Sequence, residues 1–224
     1  MGTAAASRAR YDEWADWYER YITGDARSFT ERTAETLAQV LGQGAGPLLD
    51  LACGTGIYGP ALSALGWTSF GVDLSAGQLR YARGRMPVAA AEASALPVRT
   101  GTLSAVTAVL CHTDIDDYAL TCRAVSRVLR TGGVFAHVGV HPCFVGAFAD
   151  RTSSPEITIT PGYWERDRRF EGQWRGVRAR VGARHIPLGE LLDTFIRAGL
   201  TIDRVIEVGD PTPDMLAVRC IRTG

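Results

Sequence analysis

Short apolar runs alternate with amphipathic segments through the middle of this chain, from residue 47 to residue 140. The runs are bounded by glycine, proline or polar residues, as buried strands are, and the segments between them have helical spacing. The pattern predicts strands over 47–52, 68–73, 86–90, 103–110 and 133–140, and helices over 57–65, 76–84 and 117–129. This alternation predicts parallel strands joined by right-handed crossovers in an open, doubly wound α/β sheet, which binds its ligand at the carboxyl ends of the strands.

The N-terminal segment has a different pattern. Residues 11–22 present one aromatic face at three- and four-residue steps, which indicates a helix. This face either packs on the core or covers a ligand. Residues 30–41 form a second helical pattern, with Thr30 as its expected N-cap.

The segment after residue 140 is irregular and long enough to be functional or to carry its own structure. Within it, Val177, Ala179 and Val181 alternate with arginines and predict a strand with one solvated face. The chain then returns to regular patterns, which predict a helix over 187–198 and strands near 200–208 and 214–222.

Composition adds limits on class and location. The chain has 224 residues, with 46% hydrophobic and 21% charged residues, which fits one globular domain. Its 24 basic residues balance 24 acidic ones, so nothing indicates a generic nucleic-acid binder. The five widely spaced cysteines indicate reduced thiols. Without a secretory signal or a membrane-length apolar run, we expect a cytoplasmic protein that makes no membrane contact.

The most informative motif is a glycine-rich turn over residues 47–59, PLLDLACGTGIYG, which ends a strand and leads into a helix. Gly54 and Gly56 let backbone N–H groups approach a ligand, and the helix start favours negative charge. Together with Gly59 they also fit the dinucleotide fingerprint GxGxxG. Asp73 ends the next strand, where it either binds both hydroxyls of a ribose or caps the following helix. A ribose contact fits NAD and S-adenosylmethionine equally.

Three further features separate these two cofactors. Asp50 lies inside the first strand, where a buried acid needs partners such as the backbone donors of the glycine loop or an ammonium group. The others are an acidic turn after the third strand and a double glycine before the fifth. The motifs are Asp50–Gly56 (DLACGTG), Val72–Ser75 (VDLS), Glu92-Ala93 before Leu96-Pro97, and Arg127–Leu129 (RVL) before Gly132-Gly133. In this order they resemble class I S-adenosylmethionine-dependent methyltransferases, and most closely the small-molecule branch similar to the ubiquinone and menaquinone methyltransferases.

The resemblance implies a fold. It is a Rossmann-like, doubly wound, mostly parallel seven-stranded sheet with an antiparallel last strand, an N-terminal helical lid and an insertion after the fifth strand. We expect a single domain over 1–224. Its parts are N-terminal helices over 1–45, a cofactor-binding core over 46–141, the substrate-side insertion over 142–184, and a C-terminal helix and strands over 185–224.

The resemblance also implies which residues hold S-adenosylmethionine. Asp50 and the Gly54–Gly56 backbone would hold the methionine end, Asp73 the ribose, and Leu74 the adenine face. Glu92 would accept from the adenine amino group, and the Ala93 N–H would meet a ring nitrogen. The expected set is completed by Tyr11, Tyr18, Ala52 and Leu110. The chain departs from the family at Glu92, where Asp is commoner, and at Thr131, where Pro is usual.

His112 is the expected general base, since it follows the fourth strand and imidazole titrates near neutral pH. Asp114 or Asp116 would orient it, although Asp116 equally suits a helix cap. His141 is the alternative base, and either histidine could instead be structural. Cys111, His112, His141 and Cys143 suggest zinc, but neighbouring strand residues point to opposite faces and no standard ligand spacing occurs, so we expect no metal.

The sequence specifies the methyl acceptor less closely than the cofactor. Trp14, His112, Cys143, Phe144, Trp164 and His185 are the expected substrate contacts. The insertion aromatics either wall a pocket for an aromatic or polyketide-like metabolite or form a small satellite core. Seven arginines over 166–184 keep an RNA or protein substrate open. A protein that binds the cofactor without methylating, a cyclase or a scaffold, is a further alternative. We expect a monomer or homodimer that acts in secondary metabolism.

Overall fold

A computed structural model describes residues 9–151, 156–170 and 176–224. The main sheet has seven strands, which are β1 (Pro47–Leu51), β2 (Thr68–Asp73), β3 (Val88–Ala90), β4 (Leu103–Val109), β5 (Leu129–Val140), β8 (Leu200–Val208) and β9 (Met215–Arg222), and a separate short pair consists of β6 (Ala149–Asp150) and β7 (Thr158–Ile159). The order in the main sheet is β3-β2-β1-β4-β5-β9-β8. Strand β9 runs antiparallel to both of its neighbours, while the first five strands in this order are parallel. This confirms the predicted fold.

Helices cover both faces of the sheet. A 3₁₀ turn over Asp12–Trp14 leads into α1 (Ala15–Thr23), and the others are α2 (Arg27–Leu41), α3 (Gly59–Ala64), α4 (Ala76–Ala82), α5 (Tyr118–Val128), α6 (Val177–Val181) and α7 (Leu188–Arg197). Leu48 packs in the core with α2 and α3, whereas Leu49 packs in the core with α5 and α7. Every residue of β4 is buried, because a central parallel strand is covered on both faces.

Two local predictions were wrong. The second helix begins at Arg27, and Thr30 lies inside it with its hydroxyl donating to the Ile22 and Ala26 carbonyls. Residues 177–181 form α6 and not a strand. Val177 and Val181 are four residues apart, a spacing that fits a helix face as well as strand alternation.

The aromatic face of the N-terminal helix is divided between two neighbours. Tyr11 and Tyr18 face a cavity at the sheet edge. On the insertion side, the Arg180 guanidinium of α6 lies 3.7 Å from the Trp17 ring centroid, and 5.3 Å from that of Trp14. Trp17 also stacks on Tyr21. One part of this face therefore lines the cavity, and the other part packs against the insertion.

Replacing Arg180 with alanine tests how the insertion is held. We expect Arg180→Ala to lower the free energy of unfolding by about 1 kcal/mol, because a cation–π contact and side-chain packing are lost. Limited proteolysis should cut the insertion faster than in the wild type. Arg204→Ala, an arginine on β8, is the control. Equal cleavage rates for wild type and Arg180→Ala would contradict this role.

Within the described residues, no helix is both long and apolar enough to cross a bilayer.

Candidate active site

A cavity of about 220 Å³ lies at the carboxyl ends of β1, β2 and β4, where the strand order reverses. It continues towards a smaller cavity of about 30 Å³, which shares part of the same lining and reaches Asp50. Nine of the expected cofactor residues line the larger cavity: Tyr11, Tyr18, Ala52, Gly54, Asp73, Leu74, Glu92, Ala93 and Leu110. Gly56 lies outside both, because it packs against Ala82 of α4 with φ +70°.

The backbone is strained where β1 and β4 end at the cavity. Ala52 has φ 53° and Leu110 has φ 55°, and they are the two described residues other than glycine with positive φ. Such conformations cost free energy and cluster at functional sites. Both residues line the cavity, so the strain lies at the predicted ligand edge.

Asp50 is a buried carboxyl group with one free oxygen. Its Oδ1 accepts a hydrogen bond from Thr107 Oγ1 at 2.8 Å, while Oδ2 is buried and has no partner. Burial raises the pKa of Asp50 to about 7. A buried acceptor without a partner is costly, so this oxygen suits a cationic donor that arrives with a ligand.

Asp73 holds the glycine loop in place. Its Oδ2 accepts from Gly54 N and its Oδ1 from Ser75 N, each at 2.8 Å. Burial, the largest effect, raises the pKa of Asp73 even though these backbone donors lower it. Ser75, and not Asp73, is the N-cap of α4, because its hydroxyl accepts from Gln78 N. Each carboxylate oxygen can accept a further hydrogen bond, and Asp73 lines the cavity, which fits ribose hydroxyls.

The loop after β4 places Asp114 on the cavity wall. Asp114 Oδ2 accepts from the Tyr11 hydroxyl at 3.2 Å, and Arg168 lies 3.9 Å from its other oxygen. Burial raises the pKa of Asp114 to about 6, although Arg168 and Tyr11 oppose this. Neighbouring Asp116 pairs with Arg10 and Arg168, so this loop joins the N-terminal segment to the insertion.

His112 lies on the other side of that loop. It is 2% exposed, its ring centroid is 5.0 Å from that of His137, and its Nδ1 has no partner. Burial holds the pKa of His112 well below its ordinary value. Together with His185 it lines a separate cavity of about 30 Å³ next to the insertion. The structure therefore does not bring His112 to the cofactor cavity, and neither Asp114 nor Asp116 orients it.

The other expected histidine base has structural partners. His141 Nε2 lies 2.7 Å from Glu207 Oε1, and its Nδ1 accepts from Cys143 N. Its ring also packs against Phe144. With both nitrogens occupied, His141 ties the end of β5 to β8.

Of the remaining expected substrate contacts, Cys143, Trp164 and His185 contact Tyr163 of the insertion, and none of the set lines the cofactor cavity. Cys143 lies 3.9 Å from the Tyr163 hydroxyl, Trp164 is 74% exposed, and Trp14 contacts Arg180. In the described parts of the chain, no cluster of three or more His, Cys, Asp or Glu residues is placed to hold a metal.

Comparison with known proteins identifies the domain that carries most of this cavity's lining. Residues 49–137 match the family model of the methyltransferase domain. Over these residues the chain carries a methyltransferase domain. No curated protein sequence matches it significantly.

Three solved structures share the fold of this methyltransferase. An S-adenosylmethionine-dependent methyltransferase from Mesorhizobium loti is 22% identical with a TM-score of 0.71, covering 84% of this chain and 96% of its own. Geranyl diphosphate C-methyltransferase from Streptomyces coelicolor is 15% identical with a TM-score of 0.66, covering 92% and 83%. The [4+2]-cyclase SpnF is 16% identical with a TM-score of 0.66, covering 87% and 82%. At these identities the likeness establishes the fold.

The residues present fit S-adenosylmethionine. The unpartnered Oδ2 of Asp50 suits the ammonium group of the methionine end. Asp73, Leu74 and Glu92 line the other end of the cavity, where ribose and adenine would lie. Glu92 is exposed and accepts from Ser94, which leaves its second oxygen for an adenine amino group. When bound, the cofactor supplies an electrophilic methyl group on a sulfonium.

Two supporting residues were missed by sequence reasoning. Thr107 holds Asp50, and the parallel register pairs these two residues across β1 and β4. Asp12 accepts from Ser75 Oγ and Gly77 N, so the N-terminal 3₁₀ turn caps α4 beside the cavity. Asp12 lies at the start of the aromatic N-terminal segment, where an acidic side chain could have been singled out, whereas Thr107 has no sequence signal because strand register is a tertiary property.

Proposed function

We propose that this methyltransferase acts on a small molecule and methylates an oxygen or carbon of an aromatic or polyketide-like metabolite. The observation that carries this proposal is the wall of the cofactor cavity. Tyr11 and Tyr18 of the N-terminal segment line one side of it, and Arg10 and Arg168 both bind the loop that carries Asp114 and Asp116 on its wall. A cavity bounded in this way admits a small acceptor more readily than a folded macromolecule.

The lining of the cavity supports an apolar acceptor. Beside the two tyrosines, Val109, Leu110, Cys111 and Ile115 form its β4 side. Apolar walls with a few polar groups are typical of small-molecule sites. A structural neighbour named as a geranyl diphosphate C-methyltransferase and one named as a [4+2]-cyclase are consistent with a site for small organic molecules. The ubiquinone- and menaquinone-like branch remains our proposed placement within the class.

The arginines of the insertion are used within the protein, which argues against an RNA substrate. Most of the described ones have acidic, aromatic or backbone partners. These pairs are Arg166 with Glu190, Arg168 with Asp116, Arg169 with Glu165, Arg180 with Trp17, and Arg184 with Asp116. Arg175 lies outside the described residues. Side chains that already hold the fold together are less available to phosphates.

Methyl transfer to a panel of acceptors tests the proposal. We expect S-adenosylhomocysteine to bind in calorimetry, and labelled methyl groups from S-adenosylmethionine to reach at least one phenol, naphthol or enolic β-diketone. Transfer RNA and basic peptides should not be labelled. Labelling of RNA, with binding that weakens steeply as salt rises, would contradict the proposal. Cofactor binding with no methyl transfer to any acceptor would favour the cyclase or scaffold alternative.

A further inference from the structure

Asp114 is unusual among the carboxyl groups of the cofactor cavity. Of the described acids that line it, the others are exposed or accept from backbone N–H groups. Asp73 holds the glycine loop, Asp117 caps α5 through Leu120 N, Asp116 pairs with arginines, and Glu92 is exposed. The Asp114 side chain is only 21% exposed, yet it lines the cavity.

Tyr11 orients this carboxylate. Its hydroxyl donates to Asp114 Oδ2, and its ring meets Tyr18 edge to face with 5.4 Å between centroids. Burial holds the pKa of Tyr11 well above its ordinary value, so the phenol remains a neutral donor. Tyr18 lines both the main cavity and the smaller one that reaches Asp50. A continuous row of side chains therefore runs from the proposed ammonium site to Asp114.

The environment of Asp114 suits proton transfer near neutral pH. Burial makes the carboxylate a stronger base than a solvated one, and its pKa of about 6 leaves it mostly ionised at neutral pH. The Arg168 guanidinium, 3.9 Å from Oδ1, prevents a larger rise. The His112 imidazole lines a different cavity, so it is not placed to take a proton from an acceptor in the cofactor cavity.

We propose that Asp114, oriented by Tyr11, is the general base of this enzyme, and that the acceptor therefore carries an acidic hydroxyl, a phenol or an enol. This inference rests on the proposed function. As the acceptor O–H bond breaks, the proton goes to the Asp114 carboxylate. The acceptor oxygen bonds to the methyl carbon, and the carbon–sulfur bond breaks with its electron pair left on sulfur. The products are a methyl ether, a neutral thioether and protonated Asp114, which returns its proton to solvent.

The test compares Asp114→Asn with Asp193→Asn. The amide oxygen can still accept from Tyr11, so the variant removes basicity while keeping the contact. Asp193 pairs with Arg197 on the exposed face of α7, which makes it a matched control. With the phenol or enol found in the acceptor panel, we expect Asp114→Asn to lower kcat about 100-fold or more. The dissociation constant of S-adenosylhomocysteine should change less than about threefold. In a profile of kcat against pH, the decrease of kcat below about pH 6 should disappear.

Tyr11→Phe gives a second readout. The Tyr11 hydrogen bond lowers the pKa of Asp114, so loss of this bond should move the acid side of the kcat–pH profile to higher pH. Tyr11→Phe should also reduce kcat less than Asp114→Asn does. A change in folding alone would not shift the acid side of the profile. Unchanged kcat in Asp114→Asn, with normal cofactor binding and methyl transfer, would overturn the assignment while leaving the proposed function intact.

A titration of bound 4-nitrophenol tests the role of Asp114 without catalytic turnover. In the complex with S-adenosylhomocysteine, the Asp114 carboxylate should disfavour the bound phenolate and raise the apparent pKa of the probe by about one unit. Asp114→Asn should abolish this shift, and Asp193→Asn should keep it. A probe whose titration is the same with wild type, Asp114→Asn and no protein would overturn the proposal.

Discussion

Asp50→Asn should weaken binding of S-adenosylhomocysteine about 10- to 100-fold, because a hydrogen bond to a charged group is worth about 1.5–3 kcal/mol. The buried Oδ2 has no partner within the described protein, so the ligand ammonium is the natural one. The amide of the variant can keep the contact with Thr107 but carries no negative charge. Calorimetry gives the dissociation constant directly.

The Asp50→Asn variant should also differ from the wild type without ligand, in how its free energy of unfolding depends on pH. Since the pKa of Asp50 is raised to about 7 in the folded protein, its contribution to stability is fully present below the unfolded value near 4 and is lost as pH rises through 7. Asp50→Asn should lack this decline in the free energy of unfolding. Asp193→Asn should match the wild type in both measurements. An unchanged dissociation constant in Asp50→Asn would rule out Asp50 as the ammonium partner.

Acid should destabilise the folded protein through its buried histidines. Burial lowers the pKa of His137 to about 3, and that of His112 well below 6.5. The unfolded chain gains protons below about pH 6.5 that the folded protein does not bind. The contribution of each histidine is therefore present above that pH and falls by about 1.4 kcal/mol per pH unit below it.

Urea unfolding between about pH 8 and pH 5 measures this loss. Asp50 and Asp114 act in the opposite direction over part of that range, so the comparison is between wild type and single His112→Gln and His137→Gln variants. Each variant should remove one histidine's share of the slope. Identical pH dependence in all three proteins would show that these imidazoles are protonated in the folded state.

The sheet and the cofactor loop could be predicted because their signals are local. Apolar runs near residues 48, 70, 106 and 136 correspond to buried strands. The glycine-rich turn needs only a few consecutive residues to define it. The prediction over 177–181 was wrong for an equally local reason, since two valines four residues apart satisfy a helix as well as a strand. Contacts with distant residues, such as that of Arg180 with Trp17, are not visible in the local pattern.

In the candidate site, too, local sequence patterns predict some features and contacts between distant residues decide the others. The sequence by itself determined the sheet and the motifs of the cofactor edge, because periodicity and turn chemistry lie within short stretches of chain. The tertiary structure alone decided that Asp114 lines the cofactor cavity while His112 lines the small cavity next to the insertion, and that Thr107 supports Asp50. The side of a loop on which a side chain lies, and the register between strands, depend on contacts between residues far apart in sequence. No local pattern contains that information.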